Sequence, residues 1–483
     1  IYEALFYLKA LNILQSERFT MSALLSDTDL NDFISPGIAC VKPAGPTEAK
    51  DNNNKLEVGI ESNVPVKVSI TLQDCLACAG CITSSEEILL SKQSHTVFLK
   101  KWNELKQEGS RSLVVSISPQ CRLSMASYYS MNLGDFDHCF RHILKDKFNA
   151  KYVVGTQIGR SISIAQMNET MQSKSTEKVG PMICSVCPGF VLYAEKTKPE
   201  LVPHMLDIKS PQQITGNLLK QIDPTCYHLS IMSCFDKKLE ASRDECLKEV
   251  DCVITPKEFV TMLNELSIDF SSYLSGPDLI KDLTPTSWSP ELHWLSNEGS
   301  SSGGYAYQYI LDLQSKNVRS HIVTVDGKNS DVVEYRLISE VGQVIASAGQ
   351  VYGFRNIQNM VRKLSQGSAS KKRGIKVKRR SRPTGKDPTS SIAVADPTKT
   401  DFIEVMACPS GCINGGGLLN DGENANRRKL LAQDLSQEYA KIPIVKNIQD
   451  VADTYSSKTS DLRYNLQVLE SAPSDFVTIG NTW

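Results

Sequence analysis

Three cysteines fall within the run CLACAGC, at Cys75, Cys78 and Cys81. Two successive C-x2-C steps aim three thiolates from one tight loop at a common centre, as in ferredoxin-type cluster sites. Ala77, Ala79 and Gly80 let the backbone lie close to such a centre and offer N–H donors to its sulfur. A cubane takes four ligands. No C-x3-C-P continuation follows Cys81, and Cys40 is the only cysteine upstream, so Cys40 is assigned as the fourth. A four-cysteine zinc site is the alternative. It fits less well, because zinc sites usually come as paired C-x2-C knuckles.

The chain carries 14 cysteines in 483 residues, so the redox compartment matters. Residues 1–20 contain Glu3, Lys9, Glu17 and Arg18 and lack a small-residue cleavage site, so they do not read as a secretory signal. They are expected to be an upstream extension, with the native start at Met21; an amphipathic leader helix is the alternative. In a reducing compartment a disulfide framework is disfavoured, and metal ligation better explains clustered cysteines. A 41% hydrophobic content supports substantial cores. No apolar run reaches transmembrane length. A net charge of -1 provides no global field for nucleic acid or an anionic membrane.

The length allows two to four domains, or one bilobal body with appendages. Residues 21–110 read as an N-terminal cluster segment, with a short helix at 26–33, a polar loop at 43–55, a strand at 64–72 and a helix at 86–101. From 111 to 365 the pattern is strand, helix, strand, with strands expected at 113–118, 152–159, 228–234 and 252–256. A further strand is expected at 401–408. Short apolar strands alternating with helices predict parallel βαβ units. Crevices at the C-terminal ends of such strands are where open α/β sheets place ligands. Residues 366–391 form a basic insertion with Lys371, Lys372, Arg373, Arg379 and Arg380, read as a solvated loop or as a nuclear-import or polyanion patch. Residues 392–472 complete the body, with helices within 426–455, and 473–483 form a tail ending at Trp483.

A second set of cysteines is dispersed. MACPSGC places Cys408 and Cys412 at C-x3-C, on one face of a helical turn, and Gly415, Gly416 and Gly417 beyond it permit close backbone approach to a bulky group. Cys187 lies in CSVCPGF, where its C-x2-C spacing from Cys184 also permits a redox or zinc half-site. Cys234 lies in MSCFDKKLE, whose Lys237 and Lys238 could offset anionic thiolates. Cys121, Cys139, Cys226, Cys246 and Cys252 read as buried or incidental. His138 and His142 share a helix face without a metal-ligand grouping.

The stretches VCPGF, MSCFDKKLE and MACPSGCINGGG resemble the iron-only hydrogenase catalytic domain. With SALLSDTDLNDFISPGIACVKP and CLACAGCITSSEEILL, the chain resembles the hydrogenase-like cytosolic iron–sulfur assembly factors, whose animal members are the nuclear prelamin A recognition factor-like proteins. The resemblance runs from about Met21 to Trp483. It implies an α/β fold: a two-lobed iron-only hydrogenase-like body with mostly parallel sheets flanked by helices, plus a small N-terminal cluster-binding segment. It implies two 4Fe–4S clusters, one on Cys40, Cys75, Cys78 and Cys81 and one on Cys187, Cys234, Cys408 and Cys412.

The departures from hydrogenases favour the assembly branch. Hydrogenases carry a proton-relaying cysteine immediately before the first ligand of the second set; Val186 stands there. They also have several relay clusters, where this chain has one motif before the core. Lys237 matches the hydrogenase lysine that contacts a di-iron cyanide, and Ser301, Ser302, Gly303 and Gly304 loosely match a loop lining that active site. The implied role is a non-catalytic relay or adaptor in the cytoplasm, with the nucleus as a second location. It would receive clusters from an upstream scaffold and serve apo Fe–S proteins indirectly. The resemblance has Trp483 read by a cytosolic targeting complex that includes a WD-repeat propeller protein, with no direct nucleic-acid or membrane partner. A hydrogenase or other redox enzyme and a nuclear interaction protein are the alternatives.

Overall fold

The computed structural model describes residues 90, 92–109, 111–174, 180–369, 394–419, 425–456 and 462–468. Cys40, Cys75, Cys78, Cys81, Trp483 and the basic run 371–391 lie outside the described residues.

In chain order the first elements are α1 (His95–Glu108), β1 (Leu113–Ile117), α2 (Pro119–Tyr128), α3 (Leu133–Phe148), β2 (Tyr152–Gly155), α4 (Gln157–Lys174), β3 (Met182–Cys184), α5 (Pro188–Thr197) and α6 (Pro211–Ile222). Next come β4 (Tyr227–Ile231), α7 (Asp236–Ala241), β5 (Cys252–Ile254), α8 (Pro256–Glu265) and α9 (Tyr305–Lys316). The last are β6 (Ser320–Asp326), β7 (Val332–Ser339), β8 (Val344–Tyr352), α10 (Phe354–Ala369), β9 (Phe402–Met406), α11 (Ala425–Ala440) and α12 (Ile448–Ser456).

β1 and β4 are buried along their whole length, as strands covered on both faces must be. They form the centre of a sheet ordered β2-β1-β4-β5 in which every pairing is parallel. Val115 and Leu229 join a core with Phe98 and Trp102 of α1, Phe140 of α3 and Phe259 of α8. Their neighbours in sequence pack the other way: Val114 and Val154 meet Ile158 and Ile162 of α4 and Ile214 and Leu218 of α6. Burying each such aliphatic or aromatic side chain contributes roughly 1.5–3 kcal/mol.

The second sheet is ordered β3-β9-β8-β7-β6. It is parallel across β3-β9-β8 and antiparallel across β8-β7-β6. Its own core collects Phe190 of α5, Tyr305 and Ile310 of α9, and Ile357 and Val361 of α10. Two sheets with separate apolar cores make the body two-lobed, and five of its seven strand pairings are parallel. Among the described residues no helix is long and apolar enough to cross a membrane.

Some boundaries differ from the sequence expectation. Within the span expected as a helix at 86–101, residues 86–89 lie outside the described residues, Leu90 is helical, and α1 begins at His95, where the Ser94 side chain accepts from the Val97 N–H, and stops at Gly109 in the left-handed conformation. The strand expected at 152–159 ends at Gly155, and α4 takes over at Gln157. A Cβ at Gly155 would lie 2.2 Å from the His293 carbonyl oxygen, so this strand end is pinned by a crossing chain. The antiparallel strands β6, β7 and β8 were not expected.

Candidate metal centre

The dispersed cysteines follow the C-terminal ends of three parallel strands. Cys187 comes shortly after β3, Cys234 after β4, and Cys408 and Cys412 after β9. Two of these strands belong to one sheet and the third to the other, so the site draws on both lobes.

Local chemistry fixes each cysteine. Cys187 is the N-cap of α5, with Pro188 preset for the first helical position. Its amide donates to Ser185 Oγ at 3.2 Å, and its thiol receives the Ala407 N–H at 3.5 Å. Ala407 directly precedes Cys408, so this bond ties the β3 end to the β9 end. The Cys412 amide donates to Ser302 Oγ at 2.8 Å, which brings the 301–304 loop to the site. Gly411 just before it has φ +78, and a Cβ there would lie 2.1 Å from Ser302 Oγ. Only glycine fits both the conformation and the space.

The triple glycine serves differently from the sequence reading. A Cβ at Gly415 would lie 2.4 Å from the Ser233 carbonyl oxygen, and the Gly417 N–H donates to that same oxygen at 2.9 Å. The close approach is to the backbone beside Cys234, while Gly416 has open space around it. The loop after β9 is thereby clasped to the loop after β4.

The thiols face one another closely enough to interact as charges. Burial pushes the Cys234 thiol well above its usual range, and Asp236, Cys408, Cys187 and Cys412 each push it further. Burial, then Asp236 and Cys412, raise Cys187 to about 12. Cys412 is raised by burial, opposed by Lys237 and by its Ser302 bond. A low-dielectric pocket that disfavours bare thiolates is one in which bound cations must supply the positive charge. Among the described residues, no three His, Cys, Asp or Glu side chains are close enough to hold a single metal ion.

Lys237 supplies protein charge at the site. Its Nζ donates to the Val186 carbonyl at 3.0 Å and to Glu240 Oε2 at 2.7 Å. Burial works against its charge, but Glu240, Cys234 and Cys412 outweigh that and raise its pKa. Gln212 at the start of α6 donates to the Lys237 carbonyl at 3.2 Å and steadies the α7 backbone. Lys238, the neighbouring lysine, turns away to Glu258 at 2.6 Å. The Val186 side chain is buried and offers no proton.

Cys121 reads from sequence as buried or incidental, and Cys184 is left open there between that and a half-site with Cys187. Cys121 is buried at the start of α2, accepts from Ser118 Oγ at 3.1 Å and feels the charge of Cys412. No spacing signal links the two positions. Cys184 is buried at the end of β3, in register with Glu404; its own burial, and then the charge of Glu404, raise its thiol well above the ordinary range. No disulfide joins the described cysteines. His138 and His142 do share a face, with ring centroids 4.4 Å apart.

The cytosolic Fe-S cluster assembly factor NAR1 of Kluyveromyces lactis is 68% identical over 470 residues, covering 96% of this chain and 100% of that protein. The chain belongs to the cytosolic Fe-S cluster assembly factor family. The member from Saccharomyces cerevisiae is 47% identical over the same shares, and that from Eremothecium gossypii is 53% identical. Residues 111–416 of this family member match the family described as iron only hydrogenase large subunit, C-terminal domain. The fold likeness extends to solved structures. A variant of apo FeFe-hydrogenase HydA1 from Chlamydomonas reinhardtii aligns with a TM-score of 0.55 at 17% identity, over 78% of this chain and 100% of the hydrogenase. A second HydA1 variant aligns at 0.54 and 18%, over 75% of this chain and 95% of the hydrogenase. The assembly-factor family thus uses the iron-only hydrogenase fold.

Proposed function

We propose that this chain is a non-catalytic iron–sulfur protein of cytosolic Fe–S protein assembly. It holds two 4Fe–4S clusters, one on Cys40, Cys75, Cys78 and Cys81 and one on Cys187, Cys234, Cys408 and Cys412. The observation that carries the second assignment is the convergence of four cysteines from three strand ends, Cys187 buried and the others half-buried, with Cys234 under the charge of the other three. A cluster bound there supplies iron charge that lets all four thiolates persist in an apolar pocket. The protein's own part is to enclose the sulfurs, to donate N–H groups to them and to balance charge with Lys237.

The same geometry argues against hydrogen chemistry. Val186 places an apolar side chain where proton transfer needs a titratable group. The role is then a relay or adaptor. It takes clusters from an upstream scaffold and presents them, through the Trp483 end, to a targeting complex with a WD-repeat propeller protein. Its place is the cytoplasm and also the nucleus, where apo Fe–S proteins are matured indirectly. Tryptophan is a frequent anchor in such interfaces. Lys237, in the position of the hydrogenase lysine, is the one feature that favours a redox enzyme.

Electron paramagnetic resonance with iron and sulfide counts on anaerobically purified protein tests the reading. Each set of four cysteines, replaced by Ala, is expected to remove one distinct signal. A Cys40→Ala protein that kept the N-terminal signal would refute the fourth ligand. Hydrogen production from a reduced dye by fully loaded protein would overturn the non-catalytic assignment.

A further inference from the structure

Glu240 on α7 is held from two sides. Its Oε2 accepts from Lys237 Nζ at 2.7 Å, and its Oε1 accepts from the Tyr464 hydroxyl. Tyr464 lies in residues 462–468, a short segment without helix or sheet beyond one bridge between Arg463 and Ile208. The segment is fastened along its length. The Lys209 N–H donates to the Leu462 carbonyl at 3.0 Å, and the Tyr464 N–H to the Asp207 carbonyl at 2.7 Å. Arg463 pairs with Asp207 at 2.7 Å, Arg243 donates to the Asn465 carbonyl at 3.0 Å, and the Gln467 N–H donates to Glu195 at 3.1 Å.

Tyr464 itself is buried. With Arg243 and Leu239 it walls a small pocket whose other side is Ser185, Val186 and Pro188. These last residues flank Cys187. Tyr464 therefore lines a pocket together with the residues that flank Cys187, while its buried hydroxyl reaches the carboxylate that holds Lys237. Lys237 in turn faces Cys234 and Cys412.

We propose that Tyr464 is a positioning residue for the sulfur centre, acting through Glu240 on Lys237, and that its ring closes the approach to that centre past Val186. This rests on Cys187, Cys234, Cys408 and Cys412 being the cluster ligands. The Tyr464 hydroxyl disperses part of the Glu240 charge. Without it, more negative charge stands beside Lys237 and the sulfurs, and adding an electron to the cluster becomes harder. Without the ring, water and chelators gain a path past Val186.

The test uses the full-length chain carrying Cys75→Ala and Cys78→Ala, so that iron is held only by the second set. Three quantities are measured: the midpoint potential by spectroscopically monitored titration, the rate of iron release to a ferrous chelator, and thermal unfolding. Tyr464→Phe, which keeps the ring, is expected to lower the potential while leaving unfolding close to that of the parent. Tyr464→Ala is expected to release iron several-fold faster. Unchanged potential and release rate in both loaded variants would overturn the proposal. So would changes that merely track a lower melting temperature, since that is the mark of a structural strap. A parent chain that binds no iron would refute the ligand assignment itself, before any change at Tyr464 is made.

Discussion

Lys237 donates to the main-chain carbonyl of Val186 at 3.0 Å, so a cation carried by α7 is fixed to the residue beside Cys187. That bond links the loop after β3 to the helix after β4. Its partner Glu240 is nearly buried, with a side chain 4% exposed against 12% for Lys237.

Lys237→Met should therefore leave a buried carboxylate without its cation. Breaking one partner of a buried pair typically costs about 3–5 kcal/mol. Denaturant unfolding of the variant should show a loss of that order. Adding Glu240→Gln should recover a large part of it, because the stranded charge is then gone. A double variant no more stable than the single one would disprove this account.

Gly411→Ala should empty the dispersed site while leaving both lobes folded. The new methyl group would overlap Ser302 Oγ, which holds the Cys412 amide, at a residue with φ +78. Backbone strain of this kind costs about 1–3 kcal/mol. Circular dichroism should be near that of the parent, while the iron count per chain should fall. Normal iron content would show that Cys412 tolerates displacement.

Acid should destabilise the first lobe through His228. The ring is fully buried, with its nitrogens 2.9 Å from the Glu249 carbonyl oxygen and 2.8 Å from Ser116 Oγ. Burial lowers its pKa from 6.5 to about 4. Below the ordinary value the unfolded chain binds a proton that the folded chain refuses, so stability falls as pH drops from about 6.5 towards about 4. His293, lowered by burial and by Arg122 and Arg141 to about 3, adds to the same slope. His228→Gln should flatten the pH dependence of unfolding by about one proton over that range. An unaltered slope would assign the effect elsewhere.

Thr255→Ala should cost about 1 kcal/mol, as loss of a helix cap does. Thr255 and Glu258 form a reciprocal capping box at the start of α8. Equilibrium unfolding measures it directly, and an effect below a few tenths of that would mean that Pro256 alone fixes the helix start.

Much of the first lobe was legible in the sequence. LVVSI and YHLSI are apolar and β-rich because both faces of those strands are covered, and that leaves a mark on composition. β6 and β7 leave a fainter one, since β6 mixes partial burial with exposure and β7 is mostly half-buried and carries Arg336 and Glu334 among its apolar positions. The start of α1 at His95 is not legible in composition, because the deciding event is one hydroxyl, Ser94, meeting one amide, that of Val97. Cys187, Cys234, Cys408 and Cys412 could be listed as a set only by resemblance. Their meeting depends on sheet order, which local sequence does not encode. The same holds for Tyr464 on Glu240, a contact made between segments more than two hundred residues apart.

The clasp between Gly417 and Ser233 has a consequence for biosynthesis. A chain leaves the ribosome from its N-terminus, and the first sheet can form once β5 has emerged. At that stage Cys187 and Cys234 are present, but the loop that closes over Ser233 is still unmade. The dispersed pocket gains its last two sulfurs and its wall only when residues 408–417 arrive. A group held by all four sulfurs can be enclosed only once residues 408–417 have been made, and a chain halted short of Cys408 would display a half-built, oxidisable pair of thiols to the cell.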